Sequence, residues 1–147
     1  MKNEVQPGTK SAAGLEDGRI DVKLKLSALW ASVMFCYIYA DYFGLFVPGA
    51  MQALLAGKIG PFVTSQGVLV GTSAMMATPA VMIYLSLVMK PSASRWMNIV
   101  FGALYTIIIV LTTVGAWLFY FFYGAIEVVL TSLIVWYAWK WPKSEAA

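Results

Sequence analysis

The chain has 147 residues, of which 61% are hydrophobic and 12% are charged, and its mean hydropathy is +0.76. In soluble domains about a quarter of the residues are charged, so this composition predicts a single membrane domain rather than a soluble one. The net charge of +3 comes from basic residues at the ends of apolar segments, which indicates the lipid bilayer as a partner and argues against nucleic acid.

The single cysteine and the absence of histidine limit the cofactors and reactions that the chain can support. Cys36 is the only cysteine, so the chain forms no internal disulfide and no paired-thiol redox centre. Histidine is absent, which excludes histidine-ligated haem, zinc or copper and histidine acid–base catalysis. We therefore expect no cofactor and no metal site, and the composition argues against an enzyme.

Residues 1–25 are polar and predict a cytoplasmic tail that ends in a short lead-in helix. They lack the apolar core of a signal peptide. The first transmembrane helix is predicted over residues 26–46, because about 20 apolar residues span the hydrocarbon core. In the long connection over residues 47–65, Ala50 to Ala56 predict a short interfacial helix that caps the outer face, before a turn at Gly60 and Pro61.

The second transmembrane helix is predicted over residues 63–89. Pro79 lies inside it, so we expect a kink, with Thr78 helping to satisfy the carbonyl that proline leaves unpaired. Gly67 and Gly71 form a GxxxG pattern, which is typical of close helix–helix packing or dimerisation. An ordinary glycine-rich membrane helix explains the same pattern.

The third and fourth transmembrane helices are predicted over residues 96–118 and 121–140, and residues 142–147 form a short cytoplasmic tail. The connection between these two helices is short, so they must be antiparallel neighbours. The predicted fold is an all-α membrane protein, with an antiparallel four-helix transmembrane bundle over residues 26–141.

Basic residues predict the orientation of the bundle. They cluster at the chain termini and in the turn between the second and third helices, whereas Lys58 stands alone on the opposite side. The positive-inside rule then places both termini in the cytoplasm and the long connection outside.

Two carboxylates interrupt the apolar segments. Asp41 lies near the outer end of the first helix and Glu127 near the outer start of the fourth, so both are expected roughly 8–9 Å below the outer surface. A charge at the bilayer centre costs about 2.5–3.5 kcal/mol, so each carboxylate is expected to face the bundle interior or a wet cavity. Helix spacing and depth add four polar side chains to this candidate site: Tyr37, Gln66, Thr113 and Tyr120.

Three interpretations of the carboxylates remain open. In the first, they form one proton or cation site, because two close carboxylates share a proton rather than both ionising. In the second, they form hydrogen bonds that hold the helices together, each contributing about 0.6–2 kcal/mol to the stability of the bundle. In the third, Asp41 lines an aqueous mouth.

Several short stretches resemble a family of small, uncharacterised bacterial inner-membrane proteins with four predicted spans. They include Ile38-Tyr39-Ala40-Asp41, Gly44-Leu45, Pro48-Gly49, Gln66-Gly67, Arg95-Trp96, Asn98-Ile99, and Glu127 followed by Trp136-Tyr137-Ala138-Trp139-Lys140. The resemblance covers about Leu26 to Trp141. The resemblance implies a four-helix fold in the bacterial inner membrane. It implies no activity, because the family has no established one.

The leading functional hypothesis is a small transport or ligand-binding membrane protein that uses Asp41 and Glu127 and opens to the outer side. The alternative is a non-catalytic accessory or assembly subunit that packs on a larger membrane protein through the face of Gly67 and Gly71. An enzyme acting on a lipid or quinone comes third. The expected protein partner is therefore a second copy of the chain or a larger membrane protein.

Overall fold

The computed structural model describes residue 18 and residues 20–142. Most of the predicted N-terminal tail and residues 143–147 of the C-terminal tail lie outside the described residues. The described elements follow one another as α1 (Val22–Gly44), α2 (Ala50–Leu55), β1 (Lys58–Ile59), β2 (Phe62–Val63), α3 (Gln66–Val88), α4 (Pro91–Thr113) and α5 (Leu118–Trp139).

Four of the helices form the architecture. α1, α3 and α4 have 23 residues each and α5 has 22, so each helix is about 33–35 Å long. By length and composition, all four are able to cross a membrane. The predicted all-α, four-helix fold is confirmed, and its helices are those of a membrane protein.

The four long helices pack in the order α3, α1, α5, α4. α1 packs against both α3 and α5, and α5 packs against α4, whereas α3 and α4 contact each other much less. The central position of α1 explains why Leu26, Trp30 and Val33, spaced along one helical stripe, are fully buried. α2, β1 and β2 follow the end of α1, and we call that end of the bundle the cap end and the other the termini end.

The bounds of all four long helices differ from those predicted. α4 ends at Thr113 rather than at residue 118, and α5 begins at Leu118 rather than at residue 121. α1 begins at Val22 rather than Leu26, because Asp21 caps it: its Oδ1 accepts the Lys23 amide at 2.7 Å. α3 begins at Gln66 rather than Val63, since Val63 pairs with β1. α4 begins at its proline, residue 91, rather than at residue 96, because proline at the first helical position has the right φ and needs no hydrogen-bond acceptor.

The cap contains the predicted short helix and also a β-hairpin that the sequence did not suggest. α2 ends before Gly57, whose φ is 71°. β1 and β2 pair antiparallel, with Ile59 opposite Phe62 and with Gly60, at φ 55°, in the turn between them. Glycine is suited to both positions, since side chains disfavour positive φ.

At the termini end, two basic side chains cap helix C-termini. Lys23 Nζ donates to the carbonyl oxygens of Leu87 at 3.0 Å and Met89 at 2.7 Å, at the C-terminal end of α3. Arg95 donates to the Trp139 carbonyl at 3.3 Å, at the end of α5. These contacts satisfy carbonyls that have no partner within their helix and place positive charge at helix C-termini.

Pro79 is buried within α3, and the helix continues through it. A proline removes the amide that would bond to the carbonyl four residues earlier, which belongs to Met75. The Tyr105 hydroxyl of α4 donates to that carbonyl. Thr78 does not have the role that we expected for it, because its hydroxyl donates to the Ala74 carbonyl instead, at 2.9 Å.

We expect Tyr105→Phe to destabilise the protein by about 0.6–1.7 kcal/mol, the range for hydrogen bonds between membrane helices. The loss should shrink in a Pro79→Ala background, because the backbone amide restored by that substitution then bonds to the Met75 carbonyl. Unfolding in detergent of the parent, both single variants and the double variant measures this coupling. An equal loss in both backgrounds would contradict the assigned role of Tyr105.

Candidate functional site

Glu127 is the buried acid of the structure. Its side chain is only 4% exposed, and its Oε1 is buried without a hydrogen-bond partner among the described residues. α5 positions it by helical spacing, because Gly124, Glu127 and Thr131 are buried on one face. A buried carboxylate oxygen without a partner is costly, so this atom marks a site that the polypeptide leaves unsatisfied.

Asp41 lies within electrostatic range of Glu127, a proximity that their similar predicted depths allowed but did not require. The two carboxylates are close enough for their charges to interact, across the contact between α1 and α5. Asp41 itself is exposed on the surface of the chain, whereas Glu127 is covered. Glu127 is therefore the inner acid of the pair and Asp41 the outer acid. Lys58 is the only basic residue at the cap end of the described chain.

Two tyrosines complete the cluster. The Tyr37 hydroxyl is buried without a partner among the residues that the structure describes, and it lies within electrostatic range of Glu127 and Asp41. Tyr120 lies within range of the same two acids and its hydroxyl lies beside Thr112. Asp41, Glu127, Tyr37 and Tyr120 are thus brought together from α1 and α5, and we call them the carboxylate site.

The structure places the other two candidate residues differently. Thr113 uses its hydroxyl to bond to the Ile109 carbonyl at 2.6 Å and faces Gly124, where α4 meets α5. Gln66 is exposed at the first position of α3 and makes no hydrogen bond to the carboxylate site. Neither residue joins the carboxylates in this conformation.

Gly67 and Gly71 lie on an uncovered face of α3. A Cβ built on Gly71 meets no atom within 4 Å, and one built on Gly67 meets only Ser65 Oγ at 3.9 Å. These glycines pack no helix within the described chain, so contact with another chain stays a prediction. Pro79, the third residue assigned to helix packing, is in the core.

A polar cluster that the sequence analysis did not assign lies toward the termini end. Asn98 Oδ1 accepts from Trp30 Nε1 at 2.7 Å and from Ser86 Oγ at 3.2 Å, and its Nδ2 donates to the Ser94 carbonyl at 2.8 Å. All four residues are buried. A lone asparagine inside an apolar helix is the signal for such a network, and its complete hydrogen bonding indicates a structural role.

The donor atoms of the carboxylate site limit what it can hold. They are carboxylate and hydroxyl oxygens, which suit a proton or a hard cation. No group of three or more histidine, cysteine, aspartate or glutamate side chains able to hold a metal ion occurs among the described residues. Cys36 lies within electrostatic range of Glu127 and is the only thiol nearby.

The comparisons with known proteins identify a family. A family model described as "Family of unknown function (DUF6326)" matches residues 17–147, which include all four long helices. No curated protein and no solved structure matches the chain. The resemblance to an uncharacterised family is confirmed to that extent. The chain belongs to the DUF6326 family of unknown function.

Proposed function

We propose that this membrane protein binds a proton or a small cation at the carboxylate site and exchanges it with the outer side of the membrane, as a small transport or binding protein. The observation that carries the proposal is the buried, unpartnered Oε1 of Glu127, with Asp41 in electrostatic range. An ionised carboxylate without a partner is costly to bury. A bound proton or cation neutralises the Glu127 carboxylate and so removes that cost.

The contrast between Glu127 and Asn98 favours a binding site over a hydrogen bond that only holds helices together. A side chain that holds helices together needs a partner on another helix, as Asn98 has in Trp30 and Ser86. Glu127 Oε1 and the Tyr37 hydroxyl have no such partner among the described residues, although both are buried. Two neighbouring buried polar atoms without partners favour a bound proton or cation over a hydrogen-bonded contact between helices.

The orientation and location are part of the same proposal. Basic residues of the described chain gather at the termini end: Lys23, Lys25, Lys90, Arg95 and Lys140. By the positive-inside rule, we propose that this end lies in the cytoplasm and the cap end outside. The inner membrane of a bacterium is the location that the resemblance to small bacterial four-span proteins implies. The carboxylate site then lies near the outer face.

Proton and cation flux in proteoliposomes tests the proposal. We expect Glu127→Gln to abolish any proton-coupled or cation flux of the parent and Asp41→Asn to reduce it, because each removes a carboxylate of the site. Ser132→Ala is the control, since Ser132 is exposed on α5, away from the buried face of Glu127. If both acid variants keep the parent's flux and cation binding, the carboxylate site is not the functional site.

A second candidate function is an accessory or assembly subunit. α3 is the least buried of the four long helices, with 11% of an 18-residue apolar stretch buried, and no other helix of the described chain lies within 4 Å of a Cβ built on Gly67 or Gly71. A larger membrane protein or a second copy would pack there. Oligomeric state in detergent separates the two functions: a stable homo-oligomer supports transport, and a monomer that co-purifies with a different membrane protein supports the accessory role.

A further inference from the structure

A cavity of about 290 Å³ opens at the cap end of the bundle. It lies between the end of α1, the start of α2 and the connection from α4 to α5. Its walls include Gly44, Thr112, Ala116 and Tyr120. One water molecule occupies about 30 Å³ of liquid, so the cavity has room for several.

The cavity is joined to the carboxylate site by two residues. Gly44 follows Asp41 by three positions on α1, so the two lie on the same side of that helix. Tyr120 lines the cavity and also lies within electrostatic range of Asp41 and Glu127. Its side chain is therefore shared by the cavity and the buried acid.

Two other cavities of the described chain lack this connection. The cavity of about 370 Å³ between α4 and α5 and the cavity of about 380 Å³ between α3 and α4 have no acidic, basic or tyrosine side chain among their lining residues. Both suit lipid chains rather than ions. The cap-end cavity has Thr112 and Tyr120, two hydroxyl-bearing residues, among its lining residues.

We infer that the cap-end cavity is the aqueous access through which a proton or a small cation reaches Glu127, and that Tyr120 stands between the cavity and this acid. The inference rests on the proposed function, because it names the route to the same site. Asp41 is the first carboxylate on the route, since it is exposed, and Glu127 is the second, since it is buried. The cavity through which this route passes lies at the cap end.

The test uses a thiol label in the wall of the cavity. In a Cys36→Ser background, Ala116→Cys places the only thiol of the chain in the wall, and Leu111→Cys places one on the exposed surface of α4 outside the cavity. A second control, Gln52→Cys, places the thiol on the exposed surface of α2 in the cap, outside the cavity and outside the predicted spans. All the cysteine variants are reacted with a positively charged, membrane-impermeant methanethiosulfonate applied to each side of the proteoliposomes in turn. The readout is the rate at which the protonated-carboxyl infrared band assigned by Glu127→Gln exchanges hydrogen for deuterium.

We expect Ala116→Cys to react from the cap side only, and the adduct to slow deuterium exchange of the Glu127 band by at least roughly tenfold, a barrier increase of about 1.4 kcal/mol. Tyr120→Ala, without a label, should speed the exchange, and label at Gln52→Cys should leave it unchanged. Leu111→Cys, within a predicted span, should not be labelled from either side. Unchanged exchange with the Ala116→Cys adduct in place would overturn the access route and leave the proposed function standing. Absence of any band removed by Glu127→Gln would instead overturn the proposed function, and the route with it.

Discussion

Asn98→Leu is expected to lower the free energy of unfolding by about 2–3 kcal/mol, because it strands two buried donors. Leucine has a similar size but no polar atom. It would leave the indole N–H of Trp30 and the hydroxyl of Ser86 without the oxygen that they share, in a position where all three residues are fully buried. A buried donor that loses its acceptor keeps the full cost of its desolvation.

A second substitution makes this prediction specific. Trp30→Phe removes the stranded N–H, so Asn98→Leu should cost less in the Trp30→Phe background than in the parent. Thr72→Val is the control: its hydroxyl bonds within α3, to the carbonyls of Val68 and Leu69, and the expected change is within about 0.5 kcal/mol. Denaturant unfolding of the purified protein measures all four variants. A loss for Asn98→Leu no larger than for Thr72→Val would contradict the assigned network.

Gly124→Ala is expected to destabilise the bundle by about 1–3 kcal/mol, the range for overpacking. An added Cβ would lie 2.6 Å from Thr113 Oγ1 and 3.2 Å from its Cγ2, so α4 and α5 must move apart or Thr113 must leave its rotamer. The rotamer is held by the hydrogen bond from Thr113 to Ile109. Gly102→Ala is expected to behave alike, since its Cβ would lie 2.9 Å from Val135 Cγ2.

Gly71→Ala is the matched control for both glycines. Its Cβ meets no atom within 4 Å, so the substitution should be neutral or should stabilise α3 by up to about 1 kcal/mol through helix propensity. Thermal unfolding in detergent and in lipid separates the cases. Equal stability of Gly124→Ala and Gly71→Ala would show that α4 and α5 do not pack as closely as the structure has them. A loss for Gly71→Ala in lipid alone would instead indicate a partner on the α3 face.

The membrane helices were predictable from the sequence because apolar length reports on the bilayer rather than on tertiary contacts. The similar depth of Asp41 and Glu127 stays a prediction, which follows from counting residues along helices of known rise. Their proximity required α1 and α5 to be neighbours, which an up-down bundle closed on itself implies.

Contacts that depend on helix rotation were not predictable. Gln66 was placed at the depth of the carboxylates, and the structure leaves it exposed at the start of α3. The GxxxG pattern indicated Gly67 and Gly71 as candidates for close helix packing. The close contacts within the described chain occur instead at Gly102 and Gly124, which belong to no such pattern. The rotation of α4 against α5 decides which glycine is needed.

The cap hairpin and the role of Tyr105 were missed for different reasons. Each strand of the hairpin has only two residues, which is too short for any periodicity in the sequence. The carbonyl that Pro79 leaves unpaired was anticipated, but its donor comes from a different helix, 30 residues away, so local pattern analysis selected Thr78 instead. In both cases tertiary structure supplies what local sequence does not encode.

The most direct test of the central claim is an infrared titration of the carboxyl groups in lipid, on the parent, Asp41→Asn and Glu127→Gln. We expect a protonated-carboxyl band that persists to near-neutral pH in the parent, because Glu127 is buried without a partner on Oε1. Glu127→Gln should remove it, and Asp41→Asn should change the pH at which it disappears. Two acids that titrate independently, each in the range of an exposed carboxyl group, would contradict the shared site.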